Sequence, residues 1–115
     1  METILKFYLD SVTEELEFLT NEDLWTESFS SKVVVRATGF VHRTFQFIET
    51  FDEIRKSSVY PSLKKATHKL FNTYLRLAAC KESPEVLLDI FKKATAEFSQ
   101  SKEDILKEIQ SLKNT

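Results

Sequence analysis

One glycine, two prolines and one cysteine are all that this 115-residue chain holds of those types, and each scarcity removes a class of structure. So little turn chemistry cannot serve a many-stranded β fold; it suits a few long helices with short connections, and the predicted class is all-α. Cys80 stands alone, which forbids an internal disulfide, and the two histidines lie 26 positions apart, which leaves no zinc-ligand spacing. No metal and no cofactor are expected. A lone thiol also fits a reducing, cytoplasmic setting. The longest apolar runs span only a few residues and the opening Met1-Glu2-Thr3-Ile4-Leu5-Lys6 has no basic start, so neither a membrane span nor a signal peptide is predicted.

What the chain does have is helical periodicity. Its length suits one domain, residues 1–115, that buries about two thirds of its unfolded surface without metal or disulfide. The clearest segment runs from Lys32 to Arg55. At about 100° per residue, Val33, Val34, Ala37, Phe40, Val41, Thr44, Phe45, Phe47, Ile48 and Phe51 fall within an arc of roughly 160°, opposite Arg36, Gly39, His42 and Arg43. This predicts the central helix of a bundle. A first helix is predicted from Glu2 to Leu19, with Leu9, Val12 and Leu16 in its core stripe. Phe7 and Phe18 stand outside that stripe, on nearly one side of the helix, where they either widen the buried arc or line a surface that another chain covers. Between the first helix and the central one, Leu24 and Trp25 suit a short helical piece. Phe29 is in phase with the central helix, which therefore starts anywhere from Asp23 to Lys32.

Proline after Tyr60 ends the central helix and opens a third, from Pro61 to Lys81, with Leu63, Ala66, Leu70, Phe71, Tyr74, Leu77 and Ala78 inward. Ser83-Pro84-Glu85 combines a capping hydroxyl, proline at the first helical position and an acid at the positive end of the helix dipole. From there Leu87, Ile90, Phe91, Ala94, Phe98, Ile105, Ile109 and Leu112 keep one phase, which predicts a single fourth helix running through Ser99 to Ser101 toward Thr115. At roughly 45 Å it should outrun its neighbours and carry Ile105, Ile109 and Leu112 beyond them. The expected architecture is a four-helix up-and-down bundle with long second and fourth helices.

Charge is uneven. Residues 1–31 hold eight acids against one base, residues 32–81 ten bases against three acids, and residues 82–115 seven acids against five bases. Acidic and basic helices side by side would complement each other; a basic surface would attract an acidic partner or a phosphate backbone. The stripe Lys65, His68, Lys69, Asn72 and Arg76 extends over about three turns, without interleaved aromatics to stack bases.

Catalytic signals are sparse: no Gly-rich phosphate loop, no nucleophile elbow, no Glu-x-x-His. The spacing Arg-x5-His of Arg36 and His42 resembles the Arg-x4–6-His signature of HEPN domains, helical bundles that are commonly dimeric and often act as metal-independent ribonucleases. The resemblance covers those two residues and would make them the catalytic pair. Ala37 stands where that family usually has a polar residue, and the pair lies about 120° apart around the helix. The lone Gly39, mid-helix beside Arg36 and Arg43, suits either the close approach of a neighbouring backbone or plain tolerance of a residue that costs about 1 kcal/mol there. Surplus apolar surface favours a non-catalytic protein-protein interaction module over an enzyme: an adaptor, regulator, inhibitor or assembly subunit, with a protein partner or a second copy meeting Phe7 and Phe18 or Ile105, Ile109 and Leu112. Nucleic-acid binding through the basic stripe is the alternative.

Overall fold

Leu5, Tyr8, Leu9, Val12 and Leu16 recur at three- and four-residue steps, and the segment carrying them forms α1 (Glu2–Phe18) with all five buried. The computed structural model, which describes residues 2–113, adds α2 (Ser30–Glu49), α3 (Asp52–Arg55), α4 (Tyr60–Ala79) and α5 (Pro84–Lys113), and no strand among the described residues. The chain is an all-α bundle of four long helices. α1 packs on α2, α2 on α4, α4 on α5, and α5 closes back on α1. The cross-helix pairs Tyr8 with Phe45 and Glu15 with Arg36 show that α1 and α2 run in opposite senses, as do Lys69 with Glu97 and Tyr74 with Phe91 for α4 and α5.

The link after α1 is anchored by one residue. Glu22–Leu24 make a single 3-10 turn capped by the Asn21 side chain, and Trp25 then turns inward. Its indole Nε1 donates to the Leu19 carbonyl at 2.7 Å and its ring lies 5.0 Å from that of Phe91. Phe29 is therefore not the start of a helix in phase with α2; it precedes Ser30 and is exposed.

The central helix is shorter than its periodicity predicts. On an uninterrupted helix Ile54 would point about 120° away from the core direction, toward the side of Arg36 and Arg43. Instead Thr50 Oγ1 donates back to the Phe47 carbonyl, Phe51 turns extended at φ −93° and ψ 111°, and a new turn begins at Asp52. That break swings Ile54 into full burial and leaves Phe51 half-buried. The buried arc of α2 is also narrower, about 120°: Phe40 and Thr44 are half-buried and Phe47 is exposed, because α2 meets α1 on that edge through Glu15 and Arg36 rather than through apolar packing.

Ala78 on α4 and Ile90 on α5 also face outward, against expectation, since each helix buries only the strip between its two neighbours. α5 runs through Ser99, Gln100 and Ser101 without interruption, beginning after Ser83, whose Oγ accepts from Val86 N at 3.4 Å, a long cap. Its last turns do not project bare. Ile105 and Ile109 are 2% and 4% exposed and belong to one core with Ile54, Val59 and Leu63. Ser62, Lys65 and Ala66 line a groove with Ser101, Ile105 and Glu108, so the start of α4 reaches the level of the last turns of α5. The expected overrun at Ile105 and Ile109 is thus corrected: the α3 segment and the start of α4 lengthen the bundle to match. Residues 114–115 of the predicted fourth helix lie outside the described residues.

Inside, few polar groups are left unsatisfied. Tyr8 Oη and Thr67 Oγ1 share a buried hydrogen bond of 2.9 Å, and Thr13 and Thr95 donate to the carbonyls of Leu9 and Phe91. Tyr74 Oη is the exception, buried with no hydrogen bond among the described residues; the Thr95 hydroxyl nearby is not placed to complete one.

Candidate protein interaction face

Phe7 and Phe18 are eleven residues apart on α1, a rotation of about 20°, so both project from one side, outside the stripe that meets the core. They are 70% and 57% exposed. On α2, Phe47 lies on the edge nearest α1, and Phe29 precedes the first turn of the same helix; they are 57% and 53% exposed. Because α1 and α2 run in opposite senses, Phe7 sits at the level of Phe47, and Phe18 at the level of Lys32 and Phe29. Four phenylalanines therefore mark the two ends of one outer face.

Cations dress the rings. The Arg36 guanidinium lies 5.9 Å from the Phe18 ring centre while its Nε donates to Glu15 Oε1 at 2.8 Å. Lys32 Nζ lies 5.3 Å from the centre of the Phe29 ring. Between the two aromatic ends stand Glu14 on α1 and Arg43 on α2, both exposed and neither in an ion pair among the described residues; Glu17 turns about 100° away from Phe18, to the side of Asp10 and α5. Gly39 lies in this strip as well. A Cβ built there would meet only the Arg43 guanidinium, at 2.9 Å, so no neighbouring backbone of this chain approaches it, and Arg43 lies over the gap instead.

The remaining predicted residues are scattered. Leu112 is 45% exposed near the end of α5, away from the core-bound Ile105 and Ile109. Lys65, His68, Lys69 and Arg76 are all exposed along α4, as their spacing implied, but Lys69 Nζ is held by Glu97 of α5 at 2.9 Å. Arg36 and His42 do not converge. Arg36 reaches α1, whereas His42 turns to α4, edge-on to Phe71 at 5.6 Å, and lines a groove there with His68, Gln46 and Asn72. Cys80 is a half-buried free thiol at the end of α4. No group of three or more His, Cys, Asp or Glu suited to a metal occurs among the described residues, and no helix among them is long and apolar enough to cross a membrane.

The charge segregation along the sequence is partly absorbed between helices, by Glu15 with Arg36, Asp10 with Lys102, Glu22 with Lys92 and Glu97 with Lys69. These are exposed or half-exposed pairs that align helices more than they stabilise them. The perturbed titrating groups are tyrosines. Burial raises the Tyr8 and Tyr74 hydroxyls well above their ordinary value, and the Glu49 carboxylate that accepts the Tyr60 hydroxyl at 2.5 Å pushes that group up to about 12. All three lie in or beside the core, away from the aromatic face. The chain matches no protein-family model, no curated protein and no solved structure.

Sequence reasoning missed Phe29, Phe47 and Arg43 as members of this face. Phe47 was legible in part, since it sits at the extreme edge of the predicted apolar arc. Phe29 was hidden by its phase match with α2.

Proposed function

We propose that this chain is a non-catalytic protein-protein interaction module, an adaptor, regulator, inhibitor or assembly subunit, working in the cytoplasm as a homodimer or bound to another protein. The observation that carries this reading is the α1–α2 outer face, where Phe7, Phe18, Phe29 and Phe47 remain exposed beside Lys32, Arg36 and Arg43. Large rings held in water gain nothing for the isolated fold, and aromatic residues with arginine are the side chains that dominate binding energy at protein interfaces.

The test compares complexes formed by wild type and by a Phe7→Ser/Phe18→Ser/Phe47→Ser variant, using light scattering on the pure protein and mass measurement of whatever co-purifies from native lysate. Wild type should be recovered in a complex and the variant alone. A wild type that stays monomeric at about 200 µM and brings down nothing would overturn the reading. Nucleic-acid binding through Lys65, His68, Lys69 and Arg76 has less support, because Glu97 already occupies Lys69. It predicts an affinity that falls steeply with salt and is lost in Lys65→Ala/Arg76→Ala. A ribonuclease predicts RNA cleavage abolished by His42→Ala; Arg36, its supposed partner, is committed to Glu15.

A further inference from the structure

We infer that the occupant of the α1–α2 face is a second copy of the same chain, related by a twofold axis that runs along the groove between the two helices. The inference rests on the interaction reading above and names its partner. The decisive feature is that the face is divided by sign: its α1 half carries Glu14 and Glu15, the latter bound to Arg36, and its α2 half carries Lys32, Arg36 and Arg43. A twofold axis lying across the helices would stack α1 on α1 and α2 on α2, setting acid against acid and base against base. An axis parallel to the helices lays the partner's α1 over α2 and repeats the contact on the other side. Only the second choice matches opposite charges.

The levels along the two helices agree with that choice. Rotation about an axis parallel to the helices leaves each residue at its own height. Tyr8 meets Phe45 and Glu15 meets Arg36 within one chain, so the heights on α1 and α2 are calibrated. The partner's Phe7 then arrives at Phe47, and the partner's Phe18 at Phe29 and Lys32. The partner's Glu14 arrives beside Gly39, where the Arg43 guanidinium lies without a carboxylate. Both ends of the contact thus pair ring with ring, and its middle pairs acid with base. Gly39, which nothing within one chain crowds except Arg43, is where a crossing helix comes closest, and its missing side chain permits that approach.

The experiment is a charge-swap series followed by sedimentation equilibrium, using Glu14→Arg, Arg43→Glu, the double variant and an equimolar mixture of the two single variants. Wild type should dimerise. Each single reversal should weaken association by about tenfold or more, since it repeats twice across the axis. The double variant and the mixture should both recover dimer, because each restores opposite charges across the interface. These residues are exposed, and circular dichroism should report unchanged helix content in every variant. A monomeric wild type, or a dimer insensitive to either reversal, overturns the inference. In the monomeric case, a different protein held through Phe7 and Phe18 would leave the interaction reading standing; no complex of any kind would remove both.

Discussion

Along α4 and α5 the solvent side is mostly charge, and Lys69 reaches across to Glu97; the apolar exceptions are Leu75, Val86 and Ile90, near the turn that joins the two helices, and Leu112 near the end of α5, and they include no ring. Along α1 and α2 the solvent side carries four phenylalanines, while Glu14 and Arg43 between them have no ion pair among the described residues. The two pairs belong to one bundle and bury similar stripes, so folding alone does not require the difference. What separates the two surfaces is the exposed phenylalanines, four beside α1 and α2 and none along α4 and α5. The same contrast separates two groups that the sequence made equivalent: Phe7 and Phe18 stay outside, whereas Ile105 and Ile109 are core.

The largest effect should come from truncating a ring that both sequence and structure place inside. Phe45 packs against Tyr8, Tyr60 and His68, and Phe45→Ala should cost about 3 kcal/mol in urea unfolding, whereas Phe18→Ala should cost no more than about 0.5 kcal/mol at high dilution. Next, Ile109→Ala should cost about 2 kcal/mol and leave the native mass unchanged, since Ile109 is core. A loss of assembly at constant stability would return it to an interface.

Two tyrosines sharpen the internal half of the comparison. Tyr8→Phe strands the buried Thr67 hydroxyl and should cost about 1–2 kcal/mol, while Tyr74→Phe removes an unpartnered hydroxyl and should be neutral or stabilising by about 1 kcal/mol. Alkaline titration checks the same groups. Tyr8, Tyr60 and Tyr74 hold their protons more tightly when folded than the ordinary 10.0, so the unfolded chain releases protons first as pH rises. Their stabilising contribution is whole below pH 10.0 and is lost above it, toward the Tyr60 value of about 12. The melting temperature should fall over that window, and less in Tyr8→Phe. The smallest effect concerns Gly39→Ala: within one chain the flexible Arg43 side chain can move aside, so the monomer should gain up to about 1 kcal/mol of helix stability, while association weakens.

Much of the fold was legible because amphipathic periodicity is strong in α1, α4 and α5, and the Ser83-Pro84 start was marked by its own chemistry. Two features were not. The break at Thr50 and Phe51 carries no glycine or proline; its only trace is Ile54, an apolar residue out of phase with the helix before it. The covering of Ile105 and Ile109 depends on where α3 and the start of α4 sit, which no local pattern encodes. For the candidate site, Phe7 and Phe18 were visible as residues off the core stripe, but the contribution of α2 needed the cross-helix register set by Glu15 and Arg36.

The claim that the α1–α2 phenylalanines exist for contact rather than for the fold is tested most directly by one paired measurement. Wild type and Phe7→Ser/Phe18→Ser/Phe47→Ser are compared for unfolding free energy at high dilution and for native mass at high concentration. The two unfolding free energies should lie within about 1 kcal/mol of each other, and only wild type should form a complex. A variant weakened by about 3 kcal/mol or more, with its native mass unchanged, would show that these rings are widened core and would contradict it.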